Sequence, residues 1–195
     1  MKLGLLGGTF DPVHLAHLAV AEQARVQLGL DQVLFMPAWL APHKPGNTHA
    51  AARSADRLAM LRLAVQGNPA FAVDDFEVKR QTTSFTVDTL RGLRARQPAD
   101  TQLFLLLGAD NYLIFQQWRE PEQILAMATP VVYPRPGFPI ATLDPRFRLL
   151  DGPAFDLRAT WLRDTVRRGG SIRYVVPAAV QAYIAGHHLY ATPEE

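Results

Sequence analysis

The chain has 195 residues, 48% hydrophobic and 19% charged, and its 20 Lys and Arg against 18 Asp and Glu leave a formal net charge of +2. That length suits one domain, and the composition excludes disorder along most of the chain; the small net charge does not mark bulk nucleic-acid binding, and no apolar run approaches the ~18–20 residues of a membrane span. With no cysteine there is no disulfide framework, zinc–thiolate site or thiol nucleophile.

Asp11, His14 and His17 interrupt any apolar stretch near the start, so no signal peptide is expected and a cytoplasmic protein is. The segment KLGLLGG reads as a short buried strand ending in glycines. A helix follows, with Val20, Ala21, Ala24 and Leu28 on one face and Gly29 as its stop. QVLFMPA is a second strand. Residues 40–54 form a loop rich in prolines and small residues, expected to be mobile alone and ordered by ligand. A second helix carries Leu58, Leu61, Ala64 and Val65 on one side and ends at Gly67-Asn68-Pro69. Phe71–Val73 is a third strand and Phe76–Arg80 an extended segment. A helix from about 86 to 96 precedes the apolar run 103–108, a buried strand. Pro121–Met127 reads as a helix, 130–133 as a strand and 147–150 as one more. Helices over about 159–168 and 177–185 close the chain.

Strands with continuous apolar runs, alternating with helices, imply a parallel sheet covered on both faces. With right-handed crossovers this is an α/β, three-layer, doubly wound Rossmann-like fold. A single domain over 1–195 is expected, with helices of about 157–190 packed onto it and carrying a phosphate motif.

In such folds ligands sit beyond the carboxyl ends of the strands. The first strand ends there in GGTFDPVHLAH. Gly7 and Gly8 let backbone approach a ligand closely. Asp11-Pro12 makes a turn, and the helix start beyond it favours anions. His14 and His17, three apart, fall on one face of the first turn, where two imidazole donors can bind phosphate and stabilise developing charge. Taken singly, the glycine pair also reads as a tight turn and the histidines as a surface or metal-binding pair. No Walker A loop occurs.

The joint string resembles the GxFDPxHxGH pattern of the nucleotidyltransferase superfamily, with Ala16 in place of the usual glycine. Leu157-Arg158-Ala159-Thr160-Trp161-Leu162-Arg163 resembles the second motif of that superfamily, ISxTxxR, with Arg158 where serine is usual. Further segments resemble bacterial nicotinate-nucleotide adenylyltransferases over nearly the whole chain: MPAWLAPHK (with Ala41 for a proline), TSFTVDTL, LLGADNYLIFQQW, VVYPRPG and SIRYVVPAAVQAYIAGHHLY.

The resemblance implies transfer of the adenylyl group of ATP to nicotinate mononucleotide, giving deamido-NAD and pyrophosphate. It further implies catalytic roles for His14, His17, Lys44 and Arg163. ATP is expected at Gly7, Gly8, Thr9, Phe10, Gly108, Asp110 and Thr160 as well as those histidines and Arg163. The mononucleotide is expected at His43, Lys44, Thr86, Val87, Asp110, Trp118, Arg119 and Arg135, with Trp118 stacked on the pyridine ring. On the residues alone, Trp118 reads as a core aromatic, Thr86 and Asp88 as an N-cap region, and Asp110 as a turn residue. Mg2+ is expected with the triphosphate, held mainly by phosphates and water. No nucleic acid or membrane partner is expected; a homo-oligomer is compatible with the sequence, which does not set oligomeric state. Transfer to nicotinamide mononucleotide, the pantetheine-phosphate reaction and a non-catalytic nucleotide-binding module are the competing readings.

Overall fold

Along residues 103–107 the side chains alternate between two buried layers, Leu103, Leu105 and Leu107 in one and Phe104 and Leu106 in the other. A strand apolar on both faces has to lie inside a sheet covered twice. The computed structural model, which describes residues 1–42 and 53–191, has that arrangement. His43, Lys44 and most of the loop expected to order with ligand lie outside the described residues.

Strands β1 (Lys2–Gly8), β2 (Gln32–Pro37), β3 (Phe71–Val73), β4 (Gln102–Gly108), β5 (Thr129–Tyr133) and β6 (Arg148–Leu149) form one sheet in the order β3-β2-β1-β4-β5-β6. All neighbours are parallel. The order reverses between β1 and β4, which leaves a crevice at their carboxyl ends. One face is covered by α1 (Leu15–Leu28), α2 (Ser54–Val65), α7 (Ala159–Arg167) and α8 (Ala178–Gly186), through Val20, Ala24, Met60, Leu61, Leu162, Val180 and Ile184. The other is covered by α4 (Thr86–Arg94) and α6 (Pro121–Met127), through Val87, Leu90, Leu93 and Ile124. The fold is the expected doubly wound α/β. Among the described residues no helix is long and apolar enough to cross a membrane.

Several local expectations need correcting. Phe76–Arg80 is not extended but a one-turn helix, α3. Its alternating Phe76, Val78 and Glu77, Lys79 mimic a strand, yet tertiary contacts decide. The Asp74 carboxylate accepts the Phe76 N–H at 3.0 Å, and Glu77 is buried against the Thr89 hydroxyl. A short helix, α5 (Ala109–Leu113), and a 3-10 turn, Phe115–Gln117, follow β4 where no helix was expected. The inward face of α2 includes Arg57, which is 0% exposed, while Leu58 is only half-buried. Gly29 ends α1 as expected, in the left-handed conformation at φ 60°.

Candidate active site

Two cavities of about 440 and 430 Å3 open at the carboxyl ends of β1 and β4. Each falls within the range of small-ligand sites. They share Gly7, Gly8, Thr9, Asn111 and Tyr133 as a common wall. Burial pushes the Tyr133 hydroxyl up to about 12, so it stays a neutral donor there.

The two glycines of the wall do different work. A Cβ on Gly7 would meet no protein atom within 4 Å, so its open side belongs to whatever fills the cavities. A Cβ on Gly8 would stand 3.0 Å from the Phe10 ring. Phe10 itself is buried and holds a left-handed φ of 49°. Its side chain is therefore core, edge-on to His17 at 4.9 Å, and only its backbone can serve a ligand.

The first cavity gathers His14, Ala16, His17, Asp110, Arg135, Thr160 and Arg163. His14 is the N-cap of α1 rather than part of its first turn. Its N–H donates to His17 Nδ1 at 3.2 Å, which leaves Nε2 of His17 to carry the hydrogen. The two imidazoles stack at 3.7 Å. Burial first, and Arg135 second, lower the His14 pKa to about 4. His14 thus contributes a neutral ring. Its Nδ1 is buried without a hydrogen-bond partner among the described residues, an atom for a ligand to satisfy.

Arg135 pairs with Asp110 at 2.8 Å, and Asp110 Oδ1 is likewise buried without a partner among the described residues. A Cβ on Gly108 would stand 2.8 Å from the Arg135 side chain and strike Asp110, so glycine here makes room for that pair. Both members line the first cavity, not the second. Arg163 reaches from α7 to donate to the Asp11 carbonyl at 2.8 Å. Arg158, on the rim, pairs with Asp156 at 3.1 Å.

The second cavity is lined by Thr86, Trp118 and Arg119, with Phe85, Ser84 and Glu77. Thr86 and Val87 open α4, whose first N–H groups have no intrahelical partner and favour an anion. The Val87 side chain is itself in the core, so only its N–H is available. Trp118 packs against Phe115 with ring centroids 5.3 Å apart and also faces the cavity. It is both core aromatic and cavity wall. The Arg119 guanidinium lies 5.0 Å over the Phe85 ring. Glu77 and Arg57 were missed by sequence reasoning; neither belongs to a motif, and each sits in a helix where its type reads as solvent-facing.

The sequence model of the family described as cytidylyltransferase-like matches residues 5–169. A protein of Synechococcus sp. (strain JA-3-3Ab), named "Probable nicotinate-nucleotide adenylyltransferase", is 44% identical over 98% of this chain and 96% of its own. One of the same name from Salinibacter ruber is 45% identical over 97% and 98%. The Plasmodium falciparum nicotinic acid mononucleotide adenylyltransferase complexed with APC superposes with a TM-score of 0.78 at 16% identity, over 100% of this chain and 99% of that one.

Proposed function

The chain belongs to the nicotinate-nucleotide adenylyltransferase family of the cytidylyltransferase-like proteins, and from that premise we propose that it transfers the adenylyl group of ATP to nicotinate mononucleotide, releasing pyrophosphate and forming deamido-NAD. The observation that carries this reading is the pair of cavities meeting at Gly7, Gly8 and Thr9. A transfer between two nucleotides needs two sites that touch where the phosphates meet.

ATP takes the first cavity and the mononucleotide the second, with their phosphates converging on the shared wall. The mononucleotide phosphate, with a second pKa near ~6, is already an anion at neutral pH and attacks the α-phosphorus in line. The P–O bond to pyrophosphate breaks as the new one forms, so neither a general base nor a protein nucleophile is needed. What remains for the protein is to position two anions and neutralise their repulsion. His17 donates from Nε2 and His14 as a neutral ring, while Arg163 supplies fixed charge. Thr160 in the first turn of α7 and the backbone of Gly7, Gly8, Thr9 and Phe10 complete the cradle. His43 and Lys44 serve the mononucleotide phosphate in this reading. Asp110 Oδ1, beside Gly108, accepts from a ribose hydroxyl, with Arg135 holding the carboxylate.

The pyridine ring stacks on Trp118, and its carboxylate meets the Thr86 hydroxyl and the N–H groups of Val87 and Arg119. Among the described residues no three His, Asp or Glu side chains converge as a metal cage. The two carboxylates on the first cavity are each paired with arginine. That donor set fits Mg2+ carried on the triphosphate and water. When bound, it neutralises charge on the leaving pyrophosphate. The test is pyrophosphate release from ATP against nicotinate mononucleotide, nicotinamide mononucleotide and phosphopantetheine. Release with the first acceptor alone is the expected result; release with none refutes the reading.

A further inference from the structure

Asp11 is 1% exposed, and both of its oxygens are held from distant parts of the chain. Oδ1 accepts the Tyr190 hydroxyl at 2.7 Å and Arg53 Nε at 3.3 Å, and Oδ2 accepts Arg53 Nη2 at 2.8 Å. The Arg53 guanidinium also lies 5.2 Å from the Tyr190 ring centroid. The carbonyls of the same loop are taken from the protein side. Gly8 O accepts from the Ala38 N–H at 2.9 Å, Thr9 O from Arg57 at 2.7 Å and Asp11 O from Arg163 at 2.8 Å.

Peptide planarity then fixes the other half of each unit. A trans peptide points its N–H opposite to its C=O. With the Gly8 and Thr9 carbonyls turned to Ala38 and buried Arg57, the N–H groups of Thr9 and Phe10 face the other way. Thr9 and Phe10 line the first cavity, where a polyphosphate would need such donors. The Asp11 charge would repel that polyphosphate unless it were absorbed on the protein side, which is what Arg53 and Tyr190 do. Tyr190 is 6% exposed and lines neither cavity. Burial, then Asp11, raise its pKa, so the hydroxyl keeps its proton.

We propose that Tyr190 is a positioning residue for adenylyl transfer: its hydroxyl holds the Asp11 carboxylate, and with it the Gly8–Asp11 backbone, in the orientation that presents N–H donors to the transferring phosphates. This rests on the adenylyl-transfer reading above. The neighbouring Tyr183 provides a matched comparison. Its hydroxyl donates to Asp56 at 2.8 Å, tying α8 to α2 without touching the loop.

The experiment compares Tyr190→Phe and Tyr183→Phe in the full chain, with nicotinate mononucleotide as acceptor and kcat referred to the folded fraction measured by circular dichroism. Each removes one hydroxyl and keeps the ring. Tyr190→Phe is expected to lower kcat about tenfold, the worth of one misdirected hydrogen-bonding group, with both KM values within about threefold. Tyr183→Phe is expected to lower Tm by a few degrees and leave kcat unchanged. Adding Tyr190→Phe to Asp11→Ala should bring no further loss, because alanine leaves the Tyr190 hydroxyl no side-chain acceptor at position 11. Wild-type kcat in Tyr190→Phe, or a kcat loss no larger than in Tyr183→Phe, overturns the positioning role alone. A wild-type chain that releases no pyrophosphate overturns both readings.

Discussion

Arg163 Nη1 donates to the carbonyl oxygen of Asp11 at 2.8 Å across 152 positions of chain. Helix α7 is thereby tied to the loop that follows β1, and in the proposed reading a triphosphate bound between them meets a preset spacing.

His17→Ala should lower kcat by roughly 10²–10³ if the Nε2 hydrogen bond forms mainly in the transition state. The His14 N–H loses its acceptor in this variant, so a fall of a few degrees in Tm is expected while the fold persists. Steady-state kinetics with thermal unfolding separate the two effects. Near-normal kcat would show the imidazole to be dispensable.

Acid stability should report on His14. Its folded pKa lies at about 4 and its ordinary value at 6.5, so between these the unfolded chain binds a proton that the folded chain refuses. The group therefore destabilises the fold progressively as pH falls from 6.5 to about 4 and has no effect well above 6.5. The full loss amounts to roughly 3 kcal/mol. Urea unfolding at pH 7 and pH 4.5 should show a steeper acid loss in wild type than in His14→Gln. Equal slopes would contradict a buried neutral ring.

Gly7→Ala and Gly8→Ala should part company. The added methyl at Gly7 enters open space, so the variant should fold normally and bind substrates worse, read as a raised KM. At Gly8 it meets the Phe10 ring at 3.0 Å, so Tm should fall. A thermal scan and two KM values per variant decide it. Identical behaviour of the two would refute the division.

Selectivity for the acid over the amide should be large. In the proposed reading, two or three charge-assisted donors at Thr86, Val87 and Arg119 would contribute ~2–4 kcal/mol, about 30- to 1,000-fold in kcat/KM. Thr86→Val should erode that preference while sparing the KM for ATP. Glu77 on the same cavity opposes it less than an exposed carboxylate would, because burial raises its pKa. Glu77→Gln should accordingly leave the preference close to wild type. A preference that climbs sharply in Glu77→Gln would mean that the carboxyl is ionised beside the ring.

How much of this was legible beforehand depends on range. The β1 and β4 strands and the His14–His17 pair are local patterns, and the fold followed from them. The pairing of Asp110 with Arg135 was half-visible, since both residues stood in recognisable segments though their contact did not. Arg57 was not visible at all, and Tyr190 only as the last residue of a recognisable segment, its contact with Asp11 hidden. Each is buried through a partner far along the chain, Thr9 or Asp11, and periodicity carries no record of such partners. The short helix at Phe76–Arg80 failed for the same reason, because Asp74 and Thr89 rather than its own residues decide its shape.

The reversal of strand order between β1 and β4 divides labour across the sheet. The first cavity draws on the start of α1, the segment after β5 and α7. The second draws on α3, the start of α4 and the turn after α5. Among the described residues these are separate stretches of chain, joined only at the shared wall. On the proposed assignment of substrates to the two cavities, acceptor choice can therefore drift, or be re-engineered by grafting residues 76–90 and 115–119, while the machinery that breaks the α–β phosphate bond is inherited untouched.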